Sequence, residues 1–128
     1  MNRISQIRSL IIGTSLVIGL LITSVAQAHI SLVESTPATD AVVAPLGQID
    51  LVFNERLVPR ASRLELSALK NGGAAEKFEH MTVEFINDGK ILRAKLHHPL
   101  GAGVYRVQWR AVGDDNHPMT GEFGFTVE

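Results

Sequence analysis

Two runs near the end of the chain alternate between apolar and polar residues, and this alternation constrains the fold more than any other feature. The apolar positions are Tyr105, Val107, Trp109 and Ala111 in the first run and Phe123, Phe125 and Val127 in the second. Residues two apart in an extended chain point to the same side, so each run predicts a strand with one buried face. No helical periodicity is sustained beyond residue 28.

Shorter runs of the same kind predict five more strands. They include or begin at Ile30, Ile49, Leu64, Val83 and Leu92. The sequence Asn87-Asp88-Gly89 predicts a hairpin turn because its residues tolerate positive φ. Residues 36–45 are predicted to form a loop and residues 74–79 an irregular connection. About seven short strands predict an all-β fold, a small antiparallel Greek-key barrel or sandwich.

The first 28 residues have the composition of a secretory signal peptide. Two arginines precede an apolar stretch at residues 10–22, and Ala26-Gln27-Ala28 supplies the small residues of a cleavage site. The apolar stretch is shorter than the roughly 20 residues of a membrane span, although an uncleaved anchor remains the alternative. We therefore expect residues 1–28 to be removed on export and residues 29–128 to form one domain.

Cleavage after Ala28 would make His29 the first residue of the exported protein. Its free α-amine and imidazole Nδ1 could then close a chelate ring on one metal ion. The chain has no cysteine, which excludes disulfides and thiolate ligands. Any metal site must therefore use histidine, carboxylate, methionine and the amine.

The charge pattern argues against nucleic acid as a partner. The chain carries 12 Lys and Arg against 13 Asp and Glu, and no basic run occurs in it. A protein that binds phosphates needs such a basic surface.

A second pair of candidate ligands lies between the last two predicted strands. Asp115 and His117 are two residues apart, so an extended backbone would point both to one side, and Pro118 restricts the backbone after them. With an amino-terminal His29 they supply two imidazoles, an amine and a carboxylate. Nitrogen-rich tetragonal sets favour Cu(II), whereas zinc could use the same donors but prefers a tetrahedron.

Four further residues have alternative interpretations. Glu55, at the end of the second predicted strand, is either a solvated residue or a ligand or outer partner of the site. His80, Met81 and Met119 could offer nitrogen and sulfur to Cu(I). We interpret both methionines as packing residues and His80 as an exposed residue.

Several segments together resemble the CopC family of periplasmic copper-binding proteins. They are His29 itself, residues 32–38 (LVESTPA), residues 49–55 (IDLVFNE), residues 103–112 (GVYRVQWRAV) and residues 115–121 (DNHPMTG). The resemblance covers essentially all of the chain after residue 28. It implies a cupredoxin-like or Ig-like Greek-key β-barrel.

The resemblance also implies a site and a function. The implied Cu(II) site is made by His29, Asp115, His117 and, in some members, Glu55. The implied function is that of a periplasmic copper carrier, not an enzyme, associated with inner-membrane copper transporters of the CopD type. We expect it to be a monomer.

One departure from the family pattern predicts a protein of the Cu(II)-only type. Some members carry a Cu(I) site in a methionine-rich segment between the middle strands. The corresponding residues 64–81 of this chain contain a single methionine, Met81. Two other functions remain open. One is a copper-dependent oxidative enzyme with a histidine brace, and the other is a metal-free exported β-sandwich that binds partners.

Overall fold

The computed structural model describes residues 29–128, and the predicted signal peptide at residues 1–28 lies outside them. The described residues contain no helix and form nine strands. The strands are β1 (Leu32–Thr36), β2 (Val42–Val43), β3 (Gln48–Phe53), β4 (Arg63–Leu69), β5 (Ala75–Phe78), β6 (Met81–Ile86), β7 (Ile91–Leu96), β8 (Gly103–Val112) and β9 (Pro118–Val127). Between residues 29 and 128 no helix is long and apolar enough to cross a membrane.

The strands form two sheets. One has four strands in the order β1-β3-β7-β6, and the other has five in the order β2-β9-β8-β4-β5. All neighbours are antiparallel except β2, which runs parallel to β9. The chain passes from one sheet to the other five times, which holds the two layers together. The predicted all-β fold is confirmed.

The strand count is nine rather than about seven because two short strands lie in segments that we predicted to be irregular. β2 lies within the predicted loop at residues 36–45, and β5 within the predicted connection at residues 74–79. Both occupy sheet edges, and most of their residues are solvent-exposed. A strand with little or no buried face leaves no alternating apolar pattern in the sequence.

The core lies between the two sheets, and the alternating apolar side chains of β8 and β9 fill it as predicted. Tyr105, Val107 and Ala111 are buried, and the partly buried Trp109 of the same strand packs against the core. The Trp109 ring meets Phe53 of the opposite sheet edge-on, with 5.3 Å between ring centroids. This packing fixes the end of β3 against β8.

The predicted hairpin turn is also confirmed. Asn87, Asp88 and Gly89 connect β6 to β7, and all three have positive φ. The start of β1 lies beside the end of β3, and the start of β9 lies beside the end of β8. The contact between Phe53 and Trp109 brings these two places together at one end of the sandwich. The candidate ligands lie at this end.

Candidate metal centre

Three of the four predicted ligand residues meet at one end of the sandwich. His29, Asp115 and His117 each offer a nitrogen or oxygen atom, and these atoms all lie within 4.8 Å of one another. The centroids of the two imidazole rings are 6.5 Å apart. Across residues 29–128 this is the one group of three or more His, Asp or Glu residues with such a spacing.

The connection from β8 to β9 presents Asp115 and His117 from a turn, not from the extended backbone that we predicted. Asn116 between them has a φ of 61°, and its N–H donates to the Gly113 carbonyl (3.0 Å). The His117 backbone N–H donates to Asp115 Oδ1 (3.2 Å). This bond orients the carboxylate, whose Oδ2 lies 3.6 Å from His117 Nδ1.

The neighbour of His29 anchors the start of the described chain. Ile30 is 1 % exposed and belongs to the core. A side chain on Gly113 would place its Cβ atom 3.5 Å from Ile30 Cδ1. Ile30 therefore packs directly under the connection that carries Asp115 and His117. Burial of this side chain brings the exposed His29 to the β8–β9 turn.

A residue that the sequence analysis missed also holds this segment. The Asn54 side chain accepts a hydrogen bond from the Ser31 N–H at Oδ1 (2.8 Å) and donates one from Nδ2 to the His29 carbonyl (3.1 Å). The Asn54 N–H also donates to the Ser31 carbonyl (3.1 Å). The available signal was its position in the 49–55 segment, directly before Glu55.

Glu55 is half-buried and is not a member of the group of three. It lies in the connection that follows β3, one residue beyond Asn54. Its role as a ligand or as an outer partner of the site therefore stays a prediction.

The connection after β3 is tied to the β6–β7 hairpin. Arg56 Nη2 donates to Asp88 Oδ1 (2.7 Å), and the Leu57 N–H donates to the Gly89 carbonyl (2.9 Å). The hydrogen bond from Arg56, together with its positive charge, lowers the pKa of the Asp88 carboxyl. The pair is exposed, so we assign it a local structural role and not a large share of the stability.

The other candidate copper ligands lie outside the group of three. His80 is exposed and Met81 packs against the core, as predicted. The interpretation of Met119 as a packing residue is wrong, because it is 40 % exposed. At Met119, β9 pairs with β8 on one side and with no strand on the other, because β2 pairs with β9 only at Thr126 and Val127.

The donor set suits a divalent metal of borderline hardness. Two imidazoles and a carboxylate are common ligands of copper, zinc and nickel, and an α-amine on His29 would add a third nitrogen. The His117 and Asp115 side chains are 62 % and 34 % exposed, so an ion could reach them from solvent.

Comparisons with known proteins point to one family. Residues 32–128 match the CopC domain. The chain is 38% identical over 112 residues to Copper resistance protein C of Pseudomonas syringae pv. tomato, which covers 86% of this chain and 89% of that protein. It is 34% identical over 123 residues to Copper resistance protein C of Xanthomonas campestris pv. juglandis, which covers 94% of this chain and 97% of that protein.

Solved structures give the same result. The crystal structure of PcoC, described as a methionine-rich copper resistance protein from Escherichia coli, has a TM-score of 0.71 and 37% identity, over 79% of this chain and 100% of that one. The crystal structure of CopC from Methylosinus trichosporium OB3b has a TM-score of 0.62 and 25% identity, over 78% of this chain and 94% of that one.

Proposed function

Because this chain belongs to the CopC family, as its sequence segments predicted, we propose that it is a copper-binding protein that carries one Cu(II) ion in the periplasm. His29, Asp115 and His117 would hold the ion, with the α-amine of His29 as a further donor after cleavage behind Ala28. The physiological role would be copper homeostasis and resistance, in keeping with the names of the relatives.

One observation carries this proposal. Ligand atoms from the first described residue and from a turn near the end of the chain lie within 4.8 Å of one another. Exposed acids and histidines often cluster by chance, but this group joins the two imidazoles with the carboxylate of a hydrogen-bonded turn. The residues are also those that the family resemblance implied.

The choice of Cu(II) over Cu(I) follows from the donors. Nitrogen and oxygen ligands suit the cupric ion, whereas Cu(I) selects thioether and thiolate sulfur. The PcoC relative is described as methionine rich. Beyond residue 28 this chain has only Met81 and Met119, which lie on different strands and outside the group of three.

We propose a carrier, and not an enzyme, because the relatives are named copper resistance proteins. The donors are exposed, so the ion can enter and leave without a change of fold. The receiving partner would be an inner-membrane transporter of the CopD type, and the carrier would act as a monomer. Both of these statements stay predictions.

The proposed donors must lose protons before they bind copper, so affinity is expected to fall as the solution is acidified. An α-amine with a reference pKa of about 8 is already mostly protonated at pH 7, and an imidazole with a reference pKa of about 6.5 becomes so between pH 7 and pH 5. Protons therefore compete with the ion for both kinds of donor more strongly as the pH falls. We expect the affinity for Cu(II) to drop by more than about a hundredfold over this range.

Competition titration of protein purified from the periplasm tests the proposal. The expected result is one Cu(II) bound per chain at pH 7, with much weaker binding at pH 5. Protein with a correct amino terminus that takes up no Cu(II), or binds it equally well at both pH values, would contradict the proposed site.

A further inference from the structure

We propose that Asn54 is a positioning residue that holds His29 ready for metal binding. This inference rests on the proposed function, because it assigns a role toward the ion that His29 would bind. Asn54 would not touch the metal. It would act by fixing the backbone on both sides of Ile30 through its side-chain amide.

The hydrogen bonds show how the amide extends the sheet. The β1–β3 register shifts by one residue between Glu34 and Leu32, and its last pair is Leu32 and Phe53. The next opposed residues are Ser31 and Asn54. One bond of this pair is the ordinary one, from the Asn54 N–H to the Ser31 carbonyl. The Ser31 N–H donates to Asn54 Oδ1, a side-chain atom. The side chain also reaches the residue two positions before Ser31, because Nδ2 donates to the His29 carbonyl.

The bond to the His29 carbonyl restricts the ligands directly. The carbonyl belongs to the peptide plane between His29 and Ile30, and the buried Ile30 side chain fixes the other side of that plane. With the plane fixed, only rotation about the Cα–C bond and the side-chain torsions are left to place the amine and the imidazole. Ordering an exposed terminal residue costs conformational entropy, and a prior tether removes part of that cost from the binding step.

Asn54 is itself held firmly. The neighbouring Phe53 is buried, and its N–H donates to the Lys90 carbonyl (2.9 Å). Leu57, three residues after Asn54, is also buried, and its N–H donates to the Gly89 carbonyl (2.9 Å). The side chain therefore projects from a short connection that the β6–β7 hairpin supports at both ends, as positioning of a ligand requires.

The test compares Asn54→Leu with the control Asn71→Leu in the natively processed protein. Leucine has a similar size to asparagine and cannot form either side-chain hydrogen bond. Asn71 is an exposed turn residue between β4 and β5 that undergoes the same chemical change away from the group of three. Loss of an outer partner typically costs about 10–100-fold in metal affinity.

We expect Asn54→Leu to lower the Cu(II) affinity by about 10–100-fold and Asn71→Leu to leave it unchanged. A second measurement needs no metal. The Ser31 amide proton should exchange with solvent faster in metal-free Asn54→Leu than in the unaltered protein, while core amides keep their protection. Asn54→Ala, which also removes both side-chain hydrogen bonds and adds no charge near the ion, decides by the same two measurements should Asn54→Leu fail to fold.

Unchanged Cu(II) affinity in the folded Asn54 variant would overturn the inference, as would unchanged exchange of the Ser31 amide. Failure of the proposed function gives a different result, because the unaltered protein and Asn71→Leu would then also bind no Cu(II). The amide exchange would still report whether Asn54 holds the segment.

Discussion

One extra residue placed before His29 in the exported protein is expected to lower its Cu(II) affinity by more than about a hundredfold. The added residue converts the α-amine of His29 into a peptide nitrogen and leaves the imidazole in place. The chelate ring formed by the amine and Nδ1 is then lost. Loss of an outer partner typically costs 10–100-fold, so loss of a direct donor should cost more.

The comparison needs two proteins that differ only at this point. Both would be exported, their amino termini verified by mass spectrometry, and their affinities measured by competition with a chelator at pH 7. Because Ile30 and the sheets are unchanged, both should unfold at the same temperature. An extended protein that binds Cu(II) as tightly as the unextended one would show that the amine is not a ligand.

His117→Ala is expected to have the second large effect, again more than about a hundredfold in Cu(II) affinity. The change removes one of the two imidazoles and leaves the Asp115 carboxylate without its neighbour on the turn. Asn116 and Pro118, which shape the turn, remain, and His117 is exposed, so the fold should be little affected.

His98→Ala is the matched control, because His98 is an exposed histidine beyond the end of β7 and is not part of the group of three. It should bind Cu(II) like the unaltered protein. Equal affinity losses in both variants would mean that copper binds to surface histidines in general. No loss in His117→Ala would remove His117 from the site.

The sequence predicted the core strands because their inward residues face a dry interior. The alternation at Tyr105, Val107 and Ala111 is a direct consequence of the pleat, and these side chains are buried. β2 and β5 could not be predicted in this way, because edge strands in contact with solvent need no alternation of apolar and polar residues. Their existence depends on backbone pairing with β9 and β4.

The candidate ligands could be named from the sequence, but their meeting could not be derived from residue spacing alone. His29 lies at the start of the described chain, and Asp115 and His117 lie near its end. They adjoin only because the two sheets pack with the starts of β1 and β9 at the same end. The turn conformation of Asn116 was also missed. A local pattern cannot show that a left-handed residue separates the two side chains.

Asn54 shows a further limit of the sequence. An asparagine after a strand is typical of an ordinary turn, and nothing local distinguishes one that bonds to a distant segment. Its partners, His29 and Ser31, become visible only when β1 is placed beside β3. The role of Glu55 next to it stays a prediction, because that role depends on where the metal ion binds.

Electron paramagnetic resonance of the natively processed, Cu(II)-loaded protein tests the central claim most directly. The claim is that a terminal His29 and the Asp115–His117 turn bind the same cupric ion. The predicted result is a tetragonal Cu(II) spectrum with nitrogen hyperfine structure that changes in both His29→Ala and His117→Ala. A spectrum that both substitutions leave unaltered would place the copper elsewhere and contradict the account.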